Sequence, residues 1–199
     1  MSLVETYLSG LNEVLPPDAR EQLTIATGAD AGQLAAIRDA YPACPDSLLE
    51  LWSRVDGTYW RTYGDTKIAV LMLGADVDGG EYPYYLLSTG QALNMHSAGY
   101  SSDSITERYG DCVQEDPDMV DARIDPNVPM SKRLCFSHCM NNGGTSVLYV
   151  DFDPAAGGKI GQVMRFLHDP DSYAVIAESF DVYLQQLIND GYRFVFEDE

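Results

Sequence analysis

Basic residues are scarce in this sequence: 12 Lys plus Arg stand against 31 Asp plus Glu in 199 residues, a formal net charge of −19. A phosphate backbone is held by clustered Lys and Arg that displace its counterions, so direct nucleic-acid binding is not expected. Long apolar runs are also missing. No window approaches the roughly 18 to 20 apolar residues that span a bilayer, and the opening MSLVETYLSGLNEVLPPD carries acids where a secretory leader needs basic residues. No membrane role and a cytoplasmic location are expected. The four cysteines, Cys44, Cys112, Cys135 and Cys139, are too few and too unevenly spaced for a secreted disulfide framework, so reduced thiols are expected. There is no G-x-S-x-G, and His96, His138 and His168 have no readable base or orienting partner for nucleophilic catalysis.

What is abundant is acid and apolar residue. With 45% apolar residues the chain can bury one core, and no repeat or linker divides it. The acidity has two readings: it keeps the chain soluble, or it complements a basic partner whose encounter it accelerates. Helical spacing of Val4, Tyr7, Leu8, Leu11 and Leu15 predicts a helix within an N-terminal appendage of about residues 1–28. Two more follow: one from an Asp30 cap to Ala40 burying Leu34 and Ile37, and one from an Asp46 cap ending at Asp56-Gly57, with Gly57 as left-handed terminator. KIAVLML, residues 67–73, reads as a central strand covered on both faces, and YYLLS as the next. Thr89 caps a short helix over GQALNMH. Residues 97–130 form an acidic insertion, in part helical. SKRLCFSHC and TSVLYVDFD flank a hairpin turn at Asn142-Gly143, and QVMRFLHD continues the meander. Ser179 caps a last helix starting near Phe180, and YRFVFE is read as a final strand. Helices first and strands later predict an α+β fold, a mainly antiparallel sheet packed against helices.

Three groups invite chemistry. On a strand, Asp151 and Asp153 share a face and offer two oxygens to a hard cation, which would suit a metal-dependent hydrolase or transferase; as a strand end, DFDP equally reads as a turn held by Asp side chains and stopped by Pro154. The glycines from Gly157 to Gly161 lack the Lys-Ser/Thr pair of a phosphate loop and precede a strand, so they read as a turn. Cys135, His138 and Cys139 resemble zinc ligands, but a continuous strand sets the cysteines about 13 Å apart with the histidine on the other face. No metal, cofactor or catalytic residue is expected. Tyr59, Trp60, Tyr63, Tyr82, Tyr84 and Tyr85 crowd the loops of the first hairpin, where they mark either a binding face or a core.

Two blocks, ADAGQLAAIRDAYPACPDSLLELWSRVDG and NNGGTSVLYVDFDPAAGGKIGQVMRF followed by IAESFDVYLQQLINDG, resemble the SUKH superfamily, the Smi/Knr-like domain. The resemblance rests on Pro45, Gly57, Gly143, Gly144, Asp151, Asp153, Pro154, Gly161, Ser179 and Phe180. A tryptophan usual in that family before the glycine turn is absent, and residues 97–130 are longer than its core. The resemblance implies an α+β domain without an active site: in bacteria an immunity protein that neutralises a toxin, frequently a nuclease, and in fungi a regulator of cell-wall synthesis. The expected partner is a basic toxin domain, met by Asp76, Asp78 and Glu81 in one turn and by Asp111, Glu115, Asp116, Asp118 and Asp121 in the insertion.

Overall fold

Residues 1–77, 80–97, 102–141 and 144–196 are described by the computed structural model, with backbone alone at 76–77, 80–81, 96–97 and 140–141. Four helices open the chain: α1 (Leu3–Val14), α2 (Pro17–Ile25), α3 (Ala31–Ala40) and α4 (Asp46–Arg54). A small hairpin, β1 (Arg61–Tyr63) and β2 (Thr66–Ile68), leads to β3 (Leu71–Val77) and β4 (Gly80–Leu86). After α5 (Thr89–Ser97), α6 (Ile105–Tyr109) and α7 (Cys112–Glu115) come β5 (Leu134–Cys135), β6 (Ser137–Asn141), β7 (Gly144–Asp151), β8 (Gln162–Leu167) and β9 (Ser172–Ala177), then α8 (Phe180–Asn189). The main sheet runs β3-β4-β6-β7-β8-β9, with β5 also on β7, and its ladders are antiparallel. This is the expected single α+β domain.

Alternation along the strands sends side chains to two faces. Leu148, Val150 and Val163 join Trp52, Leu11, Phe136 and Phe180 in the main core under α1, α4 and α8. Their neighbours Met164 and Tyr173 face the other way, under Ile105, Ile124 and Met130 of the insertion. The acidic insertion is therefore packed onto the sheet, and it is partly helical as its sequence suggested.

Local signals explain most boundaries. Asp30 closes a capping box with Gln33 at the start of α3, and Ser179 accepts from the Val182 amide at the start of α8. Other expectations need correction. The first helix is no appendage: Val4, Tyr7 and Leu11 are buried in the main core, and the Tyr192 hydroxyl donates to the Tyr7 carbonyl. Asp46 does not cap α4; it is the first helical residue after Pro45 and pairs with Arg38. Ser88 takes the role expected of Thr89, accepting from the Gln91 amide while Gln91 accepts from the Ser88 amide. The KIAVLML stretch divides into β2 and β3, and β3 lies at an edge of the sheet. Its apolar character persists there because tyrosines cover the edge: Tyr7 donates to the Met72 carbonyl, and the Tyr183 hydroxyl engages both the amide and the carbonyl of Gly74. YRFVFE is a turn, with Tyr192 at φ +57° and Phe194 buried against Gly74. Helix α2 and strand β9 carry too little periodic apolar pattern to be seen: α2 buries no residue, and β9 is flanked at once by Asp-Pro-Asp.

Gly57 sits at φ +91° two residues beyond the Val55 cap, further out than expected, and a Cβ there meets the Ser88 amide nitrogen at 2.4 Å. Gly157 has the same φ of +91° but open space around it. Gly57→Ala therefore combines backbone strain with a main-chain clash and lowers unfolding free energy by about 2–4 kcal/mol in urea titrations, whereas Gly157→Ala costs only about 1 kcal/mol.

Candidate interaction surface

Beneath the insertion lies a fully buried ion pair. Arg133 and Asp151 are both 0% exposed, and the Arg133 Nε lies 3.1 Å from the Asp151 Oδ1. Arg133 spends its remaining donors on the insertion, giving Nη1 to the Val128 carbonyl at 2.9 Å and Nη2 to the Asp125 carbonyl at 2.8 Å. The second Asp151 oxygen accepts from Gln162 Nε2 at 3.0 Å, and that amide also donates to the Arg123 carbonyl. The Asp151 carbonyl accepts from the Gly161 amide at 2.7 Å, with Gly161 at φ +87°. One carboxylate thus fastens the β7–β8 connection and, through Arg133, the acidic insertion.

This arrangement decides the D-x-D question. Asp151 lies opposite Leu148 and Val150 as alternation requires, but both of its oxygens are occupied and no cation reaches them without displacing Arg133. Asp153 is beyond the strand end, 59% exposed, and 3.7 Å from Lys132. Pro154 and the glycines form the connecting turn, tied to the insertion by the Ala155 amide donating to the Arg123 carbonyl. Among the described residues no three Cys, His, Asp or Glu side chains gather at a metal-binding spacing.

The cysteines correct a detail of the sequence reading. The strand is interrupted at Phe136, whose amide bonds the Leu148 carbonyl between β5 and β6. Cys135 therefore packs with Leu87 and Val147, while Cys139 belongs to the main core on the opposite face. Burial pushes the Cys135 thiol up to about 12 and the Cys139 thiol up to about 11, so both are protonated packing groups. His138 stacks on Tyr59 at 4.0 Å between ring centroids, and His168 pairs with Asp171 at 2.9 Å. Of the six hairpin aromatics, Trp60 is 55% exposed at φ +48°, Tyr84 is fully buried, and Tyr59, Tyr63, Tyr82 and Tyr85 are half-buried.

Charge is polarised along the strands. The antiparallel registers place the β3–β4, β6–β7 and β8–β9 turns at one end of the sheet. Asp76 and Glu81 are register partners there, and Asp78 between them lies outside the described residues, as does Gly143. The insertion reaches the same end: Tyr109 donates to Asp171 at 2.6 Å, and the Met119 carbonyl accepts from the Tyr173 amide. Asp111, Glu115, Asp116 and Asp118 are exposed there, and among the described residues none has a cationic partner. Asp121 differs, since Arg123 grips it through a bond that holds its carboxyl below the usual range. The opposite end is compensated, with Lys132 on Asp153 and Lys159 on Glu178. The two acidic groups thus share an end but not an edge: five strand spacings of about 4.8 Å separate β3 from β9 along the sheet.

Among the family-signature residues, Pro45 offers its carbonyl to the Leu48 and Leu49 amides, Gly144 faces His168, and Phe180 is fully buried. These positions do structural work in a fold that a family profile recognises over residues 11–186. The chain belongs to the SMI1 / KNR4 family (SUKH-1). A search of curated proteins finds no match. Membership supports a protein-binding role of the immunity or Smi/Knr regulatory kind, and SUKH-1 domains are generally not enzymes. Among the described residues, no helix is long and apolar enough to cross a membrane.

Arg133 was not singled out from the sequence of this SUKH-1 chain, nor was Asp56, a second buried carboxylate. Asp56 accepts from the Thr89 amide and hydroxyl at 2.8 and 2.9 Å and from Arg61 at 3.0 Å, joining α5 to the small hairpin. Their signal is weak: an arginine beside an apolar strand, and an acid before a glycine. Arg133→Met leaves Asp151 buried without its cation and lowers stability by about 3–5 kcal/mol in denaturant unfolding. The double variant Arg133→Met/Asp151→Leu recovers more than half of that loss, because removing both charges removes the desolvation penalty.

Proposed function

We propose that this SUKH-1 chain is an immunity-type protein that binds a basic toxin domain and blocks its substrate site. The observation carrying this reading is the uncompensated acid at the turn end of the sheet, where Asp111, Glu115, Asp116 and Asp118 stand exposed while Arg38, Arg54, Arg61, Arg123, Lys132, Arg133 and Lys159 are paired with other acids. At the far edge of the same end the backbones of Asp76 and Glu81 pair, and their carboxylates, with that of Asp78, which lies outside the described residues, are assigned as further contacts; Asp121 contributes through its paired carboxylate. A nuclease is the natural target class, because an enzyme that holds a phosphate backbone presents the clustered Lys and Arg this rim complements. Neutralisation then requires only occlusion. A regulatory adaptor of the fungal kind is the second reading, favoured if the same surface captures proteins that are not toxic. The hydrolase alternative loses its residues, since Asp151 is committed to Arg133 and Gln162.

The test pairs rescue with kinetics. Proteins captured from the native host on the immobilised chain are expressed with and without it, and a toxic one is rescued. Stopped-flow association with that toxin slows about tenfold or more between low and moderate salt, and Asp111→Asn/Glu115→Gln/Asp116→Asn/Asp118→Asn slows it comparably at low salt. Capture of non-toxic proteins alone contradicts the immunity reading, and a salt-insensitive association rate contradicts the electrostatic one.

A further inference from the structure

Complementary fields speed encounter and reject wrong partners, whereas affinity concentrates where apolar anchors fill a desolvated depression. The surface offers an open, solvent-facing apolar groove away from the acidic insertion, which a partner would have to desolvate. A groove of about 640 Å³ runs between α3 and α4, with Leu34, Ala35 and Leu49 among its lining residues. Ile37 ties α3 to the main core, leaving the Ala31 and Ala35 side of the helix exposed. Charge at the rim is one-sided. Arg38 is engaged by Asp46 at 2.5 Å, the Glu50 carboxylate accepts from the Ser2 hydroxyl, and neither Glu50 nor Asp39 has a cationic partner among the described residues.

We infer that this groove docks an amphipathic helix of a protein partner, its apolar stripe on Leu34, Ala35 and Leu49 and its Lys or Arg side chains beside Asp39 and Glu50. A helix meets the requirement better than an extended strand. The groove is walled by two helices and offers no open sheet edge to pair with, so side-chain anchors at helical spacing are the contacts available. Its volume also falls in the range of sites that accept several side chains, and an apolar floor with an acidic rim selects basic amphipathic segments over acidic or uniformly polar ones. The inference does not rest on the immunity reading, because the groove is separate from the acids that carry it.

A fluorescein-labelled synthetic helix of roughly four turns, with leucines at i, i+3, i+4 and i+7 and lysines flanking them, is the probe, titrated into the full chain. Binding is expected, with amide-resonance changes confined to residues 31–39 and 49–53. Ala35→Trp, a substitution at an exposed helical site, fills the groove and weakens binding about tenfold or more. Asp39→Asn/Glu50→Gln weakens it about threefold and flattens its salt dependence. The quadruple substitution at the acidic end leaves peptide affinity within about twofold. The inference is overturned by absence of binding, by resonance changes centred on the insertion, by unchanged affinity in a folded Ala35→Trp chain, or by equal affinity for a peptide whose helix is interrupted by proline. Should Ala35→Trp fail to fold, the resonance changes in the unaltered chain decide alone, by falling within residues 31–39 and 49–53 or outside them.

Discussion

Two opposite charges removed entirely from water organise one side of this molecule. Desolvating Arg133 and Asp151 costs several kcal/mol per ion, and their attraction offsets this only when the remaining donors and lone pairs are satisfied. Here they are: Val128, Asp125 and Gln162 complete the set. The pair is therefore better understood as a device of specificity than as a source of stability. It allows one place for the returning limb of the insertion, and a chain folded otherwise buries an unmatched charge.

From that constraint follows the distribution of charge. With the limb of residues 120–133 laid along β9 and under the β7–β8 turn, its cations are all paired: Arg123 on Asp121 beside β9, and Arg133 on Asp151 and Lys132 on Asp153 at the β7–β8 end. The other limb, α6 and α7, is carried to the turn end, where Tyr109 fastens to Asp171. Burial, then the bond to Asp171, pushes the Tyr109 hydroxyl well above its ordinary range, so this fastening persists as a neutral donor on a carboxylate. Four of the acids left over, Asp111, Glu115, Asp116 and Asp118, are displayed on the side away from the compensated end. A net charge of −19, which in the sequence was only a sum, becomes a directional field.

The fold was largely legible because its signals are local. Capping residues such as Asp30 and Ser179 and the alternation of Leu148 and Val150 each act over a few residues; the expected turn at Asn142-Gly143 lies outside the described residues. What the sequence concealed depends on one residue of register. The pairing of Asn141 with Gly144, continued strictly, sets Arg133 opposite Phe152; the interruption at Phe136 moves Leu134 onto Val150 and so brings Arg133 beside Asp151. The same shift sends Cys135 and Cys139 to opposite faces. A bulge of this kind has no compositional mark, so neither the ion pair nor the fate of the D-x-D was readable beforehand. The edge position of β3 was hidden for a similar reason, since the tyrosines that cover it come from residues 7 and 183, far away in the chain.

Hydrogen exchange in the Arg133→Met chain, read segment by segment against the unaltered protein, bears most directly on the claim that the buried pair holds the insertion in place. The account predicts faster exchange in residues 103–133 and in the β7–β8 turn, with α1, α4 and α8 protected as before. Uniform acceleration across the molecule, or an insertion that stays as protected as in the unaltered chain, contradicts it.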